Sequence, residues 1–317
     1  MRVASGRPVG SIRAPLDGSD SGPRRVGSRL GAPSLKALDP AAARWIGTFI
    51  RISAAHPAMT RILDVIERLQ DRPFRTNFLL TGEAGTGKDG LARALHQMLS
   101  PSGPLVRLDV SGFPEEAALE ALCGAGRNKG LAEEADRGTL VIEELAGLPA
   151  RVQQALLRLL KAGRVRRMGQ PKDQPRKLMV NAIALSDADV ERAVADGRLR
   201  HDLYYRLARV VLWLPPLRER LDDIGPAAIW IGNRILTTAH VPLELRTTDD
   251  LRSATPEERR RAIELDGSAI EALRAHPWPG NFRELEATLE RALLLVRSGP
   301  QLTAADIRAA LAPETSR

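Results

Sequence analysis

An apolar run, Phe78-Leu79-Leu80-Thr81, passes directly into Gly82-Glu83-Ala84-Gly85-Thr86-Gly87-Lys88-Asp89, and a helical pattern follows from Lys88 to Leu99. Few local structures satisfy that order. Glycines let successive backbone N–H groups curl inward, the first helical turn adds positive dipole, and a lysine at the junction reaches phosphate oxygens. The stretch reads as a phosphate-binding loop in preference to a bare Gly-rich turn before a helix. Such a loop ordinarily offers Ser or Thr after the lysine as a magnesium ligand. Here that place is Asp89.

A second acid-bearing strand is expected downstream, because magnesium and the attacking water both need carboxylates near the transferred phosphoryl group. Thr139-Leu140-Val141-Ile142-Glu143-Glu144 supplies it, about 55 residues after Lys88. Acids also end strands at solvent-facing turns, so the pair gains meaning only from its distance to the loop. In this reading Glu143 holds magnesium or its water, and Glu144 polarises the attacking water.

From Trp45 onward strand and helix patterns alternate, which predicts a parallel sheet covered by helices. The β-rich runs are Phe78 to Thr81, Leu105 to Val110, Thr139 to Glu143, Met179 to Leu185 and Val210 to Leu214. Helical patterns lie between them at Lys88 to Leu99, Glu115 to Leu122, Ala150 to Lys161 and Ala188 to Ala195. After Pro215-Pro216 no strand is expected. The remainder reads as helices, with a charge-dense stretch from Leu245 to Glu264 and a turn at Pro277-Trp278-Pro279-Gly280 before a long helix, Arg283 to Val296.

The chain carries 47 Lys and Arg against 39 acids, a net +8 that favours polyanionic partners. Residues 1–45 hold Arg2, Arg7, Arg13, Arg24, Arg25, Arg29, Lys36 and Arg44 against Asp17, Asp20 and Asp39, so more than half of the excess lies there. Rich in Gly, Pro and Ser, this segment reads as a disordered basic tail capable of weak DNA contact. An organelle transit peptide is the other reading, against which the acids count. No apolar stretch is long enough to span a bilayer, and a cytoplasmic location is the default expectation, with no membrane partner. Cys123, the one cysteine, can form no internal disulfide and is expected to be a small buried hydrophobe.

Over roughly residues 46 to 312 these motifs resemble the AAA+ domain of the sigma-54-dependent activators, the bacterial enhancer-binding proteins. The resemblance is carried by Gly82 to Asp89, by Gly138-Thr139-Leu140 into Glu143-Glu144, and by Gln154-Ala155-Leu156-Leu157-Arg158-Leu159-Leu160. It continues through Gly197-Arg198-Leu199-Arg200-His201-Asp202-Leu203-Tyr204-Tyr205-Arg206-Leu207, then Leu214-Pro215-Pro216-Leu217-Arg218-Glu219-Arg220 and Pro277-Trp278-Pro279-Gly280-Asn281-Phe282-Arg283-Glu284-Leu285. The resemblance implies an α/β P-loop NTPase sheet with helices on both faces over residues 46–216, and a small α-helical lid over 217–312 with an insertion at 245–264. A short tail, 313–317, ends the chain.

The implied cofactors are ATP and Mg2+, bound by Gly82, Glu83, Ala84, Gly85, Thr86, Gly87, Lys88 and Asp89, with Glu143 on the metal and Glu144 catalytic. Arg200 and Arg206 match the family's arginine fingers, which reach a neighbouring subunit's nucleotide, and Arg283 matches its lid arginine. The implied assembly is a homo-oligomeric ring, a hexamer by analogy, acting on a protein client in transcription. An acid after the lysine is usual in this family. Three features depart from it. Glu143 stands where Asp is usual, the polar pair after the fourth strand reads Ser186-Asp187 instead of Thr-Asn, and only Ala125-Gly126-Arg127-Asn128-Lys129 replaces the long loop tipped Gly-Ala-Phe-Thr-Gly-Ala that grips sigma-54. Neither a receiver-like segment before Trp45 nor a helix-turn-helix after the lid is expected in these residues. The expected activity is ATP hydrolysis. The alternative is a nucleotide-gated interaction protein with little turnover. The charged stretch at 245–264 is either a partner surface or a solvated helix and loop.

Overall fold

The computed structural model describes residues 56–71, 76–100, 102–169, 175–187 and 189–312. The expectations for the basic tail of residues 1–45 and for 313–317 lie outside the described residues. Helix α1 (Pro57–Asp71) precedes strand β1 (Phe78–Thr81), the loop and helix α2 (Lys88–Leu99). Strand β2 (Leu105–Leu108), helix α3 (Glu115–Cys123), strand β3 (Thr139–Ile142), helix α4 (Ala150–Ala162) and strand β4 (Asn181–Ser186) follow. Helices α5 (Val190–Ala195) and α6 (His201–Leu207) lead to strand β5 (Val210–Trp213).

All five strands join one parallel sheet in the order β2-β3-β4-β1-β5, with Phe78 opposite both Ile183 and Val210. Successive side chains of a strand face opposite sides of its sheet, and here both sides are covered. Phe78, Leu80, Val141, Ile183 and Leu185 pack beneath α1 and α2, while Leu79, Leu140, Ile142, Ala182 and Ala184 pack against α3, α4 and α6. Cys123 is buried in the second layer, where burial pushes its thiol up to about 11. No helix among the described residues is long and apolar enough to cross a membrane.

The link after α3 is a tight antiparallel hairpin, Gly124–Ala125 against Asn128–Lys129, turning at Gly126-Arg127. Met168 N donates to Gly124 O at 2.8 Å, and Gly126 N donates to Met168 O at 3.1 Å. Buried Arg167 donates to Arg127 O at 2.7 Å and to both Glu133 carboxylate oxygens, at 2.5 and 2.8 Å. The hairpin is therefore sewn to the body of the domain along its length.

After β5 come helices α7 (Leu221–Thr238), α8 (Gly267–Ala275), α9 (Asn281–Arg291) and α10 (Ala304–Leu311), around the fully buried Trp278, whose indole N–H donates to Leu273 O at 2.7 Å. Helix α9 continues only as a π turn, Ala292–Val296. The expectation of no strand beyond Pro216 is wrong. Strands β6 (Glu244–Thr247), β7 (Ala262–Leu265) and β8 (Gln301–Leu302) form a three-stranded parallel sheet in this otherwise helical unit. E-L-R-T and Q-L each carry one apolar residue and A-I-E-L follows a run of charges, so the stretch reads as charged surface. Asn233 completes the outer edge of β6, accepting from Leu245 N at 2.7 Å and donating to Leu245 O at 3.0 Å. Only the middle of the charged stretch is solvated, as two short helices, Thr248–Arg252 and Pro256–Arg260, each opened by a capping box.

Leu245, Ile263, Leu265 and Leu302 are buried in this core. Ile263→Ala is therefore expected to cost about 2–5 kcal/mol, the range for truncating a buried aliphatic side chain, in urea unfolding. A loose charged insertion would lose nothing measurable.

Candidate phosphate-binding site

The loop leaves the buried end of β1 through three glycines with positive φ, Gly82 at 140°, Gly85 at 77° and Gly87 at 102°. A Cβ at Gly82 would lie 2.4 Å from Leu214 O, and one at Gly85 would lie 2.4 Å from Gly280 O. Both positions thus exclude any side chain. Helix α2 begins at Gly87 with no side-chain cap, which leaves its first-turn amides to an anion. Buried Lys88 folds back into the loop, where Nζ donates to Gly82 O and Glu83 O, each at 2.8 Å, and pairs with Asp187. Thr86 is buried and donates from its hydroxyl to Glu83 O at 2.9 Å. An uncapped helix, a glycine cradle and a buried lysine together fit a nucleotide's phosphates.

The acids behave otherwise. Glu143 follows the last residue of β3, but its carboxylate accepts from Arg107 Nε at 2.6 Å, and the same guanidinium pairs through Nη2 with Asp89. Arg107 stands on β2, opposite Val141 of β3. Hydrogen bonding to Glu143 and then Asp89 raises its already high pKa, against the opposing effect of burial. Among the described residues no three His, Cys, Asp or Glu side chains gather as a metal site. The two places where magnesium ligands are expected therefore answer to an arginine, and the residues present do not fit the ion. Glu144 is exposed and adopts a left-handed backbone, φ 47° and ψ 50°, a conformation that costs a non-glycine residue energy and is concentrated at functional sites.

Ser186, the last residue of β4, is buried and lies opposite Thr81 at the mouth of the loop. The turn before α9 closes over the loop from the other side. Phe282 N donates to Gly85 O at 3.0 Å, and Asn281, itself at φ 52°, donates from Nδ2 to Ala84 O at 2.9 Å and Glu83 Oε2 at 3.2 Å. Arg218 grips the Glu83 carboxylate with two donors, at 2.6 and 2.8 Å. These bonds, Arg218's first, hold the Glu83 pKa down at about 2. Buried Arg220 donates to Thr86 O at 3.3 Å and stacks on the Phe282 ring, and burial lowers its pKa to about 10. Arg283 is exposed on the first turn of α9, its Cβ 3.3 Å from where a Cβ on Gly85 would be.

Arg200 and Arg206 are not brought to this site in their own chain. Arg200 precedes α6 and forms a two-donor pair with Asp202, at 3.0 and 2.9 Å. Arg206 donates to Leu160 O at 3.2 Å and Lys161 O at 3.4 Å, at the end of α4. Sequence reasoning missed Gln153, a buried side chain that donates to Leu148 O and Arg198 O and accepts from Arg200 N, so it fixes the segment that presents Arg200. Nothing in its sequence context marks it. Arg107 was also missed, although a lone cation inside an apolar strand was a legible signal.

Residues 52–213 match the family profile described as the Sigma-54 interaction domain, and residues 249–317 match the AAA+ ATPase lid domain. The nitric oxide reductase transcription regulator NorR2 of Cupriavidus necator is 35% identical over 247 residues, which is 75% of this chain and 43% of that protein. The Nif-specific regulatory protein of Azotobacter vinelandii is 34% identical over 254 residues, 77% of this chain and 44% of that protein. The chain thus spans less than half the length of these two relatives. NtrX from Brucella abortus, solved in complex with ATP, superposes with a TM-score of 0.68 at 27% identity, over 86% of this chain and 59% of that one.

Glu83 yields a pH prediction. Its folded pKa, about 2, lies below the ordinary 4.5, so its contribution to stability is complete above about pH 4.5 and is lost as pH falls toward 2. Melting temperatures of the parent protein and Glu83→Gln should differ most above pH 4.5 and converge toward pH 2. A constant difference across that window would show that the carboxylate charge does not hold the clamp.

Proposed function

Because the chain belongs to the sigma-54 interaction domain family of AAA+ proteins, we propose that it binds ATP at Gly82 to Asp89 and regulates transcription through a protein client, as a homo-oligomeric ring. A hexamer is the assembly by family analogy. The observation that carries this reading is the glycine cradle with buried Lys88 folded into it, closed by the turn that holds Asn281 and Arg283. Lys88 meets the β- and γ-phosphates, Ser186 lies beside them, Glu144 polarises the attacking water, and Arg283 reads the nucleotide from the lid. Arg200 and Arg206 act on the neighbouring subunit's nucleotide, which agrees with their turning away from their own. The proposed compartment is the cytoplasm.

Asp187 on Lys88 and Arg107 on Glu143 favour slow turnover, so ATP acts chiefly as a switch for assembly. The client is not gripped as the family's long loop grips sigma-54. Five residues reach at most roughly 18 Å extended, and an out-and-back excursion halves that. Here they are folded into a hairpin fastened at Met168 and Arg167. The exposed helices Thr248–Arg252 and Pro256–Arg260 are the alternative client surface. Any contact of the basic tail with DNA is subsidiary.

Calorimetric titration should show ATP binding lost in Lys88→Ala and kept in Glu144→Gln, with turnover in the latter reduced about a hundredfold or more. Equal affinity in Lys88→Ala and the parent would refute the assignment. Mixing Arg206→Ala with Glu144→Gln should restore part of the turnover, since some interfaces then pair an intact arginine with an intact acid. With purified polymerase, sigma-54 and ATP, promoter opening should stay at background beside a loop-bearing activator, and opening above background would overturn the client reading.

A further inference from the structure

Arg107 is the residue whose placement the proposed function leaves unexplained. Its strand reads Leu105-Val106-Arg107-Leu108, at the edge of the sheet, where a charged side chain adds nothing to the core. Yet its guanidinium is fixed at two points, on Glu143 through Nε and on Asp89 through Nη2. In phosphate-binding loops the residue after the lysine and the acid ending the neighbouring strand flank the ion that neutralises the β- and γ-phosphates. Those two positions are here both carboxylates, and one cation already lies between them. Its side chain is 36% exposed, so the guanidinium is not sealed in the core.

We propose that Arg107 takes the place of magnesium, so that the site binds the metal-free nucleoside triphosphate. The inference rests on the nucleotide reading above. A guanidinium presents five donors in a rigid plane, of which Arg107 spends one on each acid. Nη1 has no hydrogen bond among the described residues, so its donors are available for phosphate oxygens. Magnesium, by contrast, demands octahedral oxygen geometry at about 2.0–2.1 Å and gives up its water reluctantly. To enter, it would have to strip Arg107 from Glu143 and then share the site with an expelled positive charge. The longer Glu143 side chain suits the arrangement, because it must reach a guanidinium rooted on the adjacent strand.

Two of the departures from the family, Glu143 and Asp187, and the acid after the lysine, Asp89, then share one cause. Asp89, Glu143 and Asp187 are each paired with a cation of this chain, the first two with Arg107 and the third with Lys88. On ATP binding, phosphate oxygens displace Asp187 from Lys88 and accept from the unused donors of Arg107. The two acids hold that guanidinium in place and do not meet the phosphates directly.

The test is titration of the full chain with ATP in excess EDTA and in excess magnesium chloride. The parent protein should bind with dissociation constants within about threefold of each other, while Arg107→Ala should bind about tenfold or more weakly in EDTA than in magnesium, a difference of about 1.4 kcal/mol or more. A parent protein that itself weakens about tenfold or more in EDTA overturns the inference and leaves the nucleotide reading standing. Absence of binding in both media removes the nucleotide reading and this inference with it. Electron paramagnetic resonance with Mn2+ alone gives an independent reading, without nucleotide, on the parent protein and Glu143→Gln. Free Mn2+ signal undiminished by the protein is expected, and stoichiometric Mn2+ binding abolished by Glu143→Gln would contradict the assignment.

Discussion

Between Leu217 and Arg283 the chain doubles back onto its own phosphate loop, and the hydrogen bonds made there join the two halves of the fold. Arg218 and Asn281 both hold the Glu83 carboxylate, Asn281 Oδ1 also accepts from Leu217 N at 2.7 Å, and Phe282 N reaches Gly85 O. The approach is close enough that glycine is required at Gly85 and a left-handed residue at Asn281. Such main-chain contacts cannot slide gradually, because a hydrogen bond weakens steeply with angle and distance. Whatever enters the loop must therefore act on the lid. This is the physical route by which a small anion could alter the face that a helical lid presents to a partner.

The second constraint is charge. Around the loop the chain assembles Lys88, Arg107, Arg218 and Arg220 against Glu83, Asp89, Glu143, Asp187 and Asp223, and every one of these is paired. A site paired in this way is stable without ligand, since no strongly buried charge is left bare. On the proposed function it also sets a cost on turnover, because phosphates would have to compete with carboxylates for their cations. Glu144 escapes that network and instead holds a strained backbone, the arrangement expected of a group kept for chemistry rather than for packing.

The five strands of the main sheet and four of the helices between them were legible because the central strands are apolar runs buried on both faces, the edge strands are still mostly apolar, and those helices show their own period. The loop was legible because glycines, strand and lysine must occur in one order. The small sheet at Glu244–Thr247, Ala262–Leu265 and Gln301–Leu302 was hidden, since its strands are short, set among charged residues, and paired in parallel across long intervals. Residue types at the site could be read, but their pairing could not. Glu143 and Asp187 looked like separate departures in sequence and Asp89 like an ordinary member of the loop, and only the reach of Arg107 to Glu143 and Asp89 and of Lys88 to Asp187 joins them. Gln153 gave no signal, because a buried glutamine on an amphipathic helix looks like any surface residue until its partners are known.

With the contacts between them, the phosphate loop and the lid turn are expected to respond to nucleotide as one unit. Amide hydrogen exchange with and without ATP tests it directly, since both segments carry their own reporting amides. Slowed exchange at Gly85 to Leu91 should be accompanied by slowed exchange at Asn281 to Leu285, and Glu83→Gln should separate the two. Protection of the loop with the lid turn unchanged in the parent protein would contradict it.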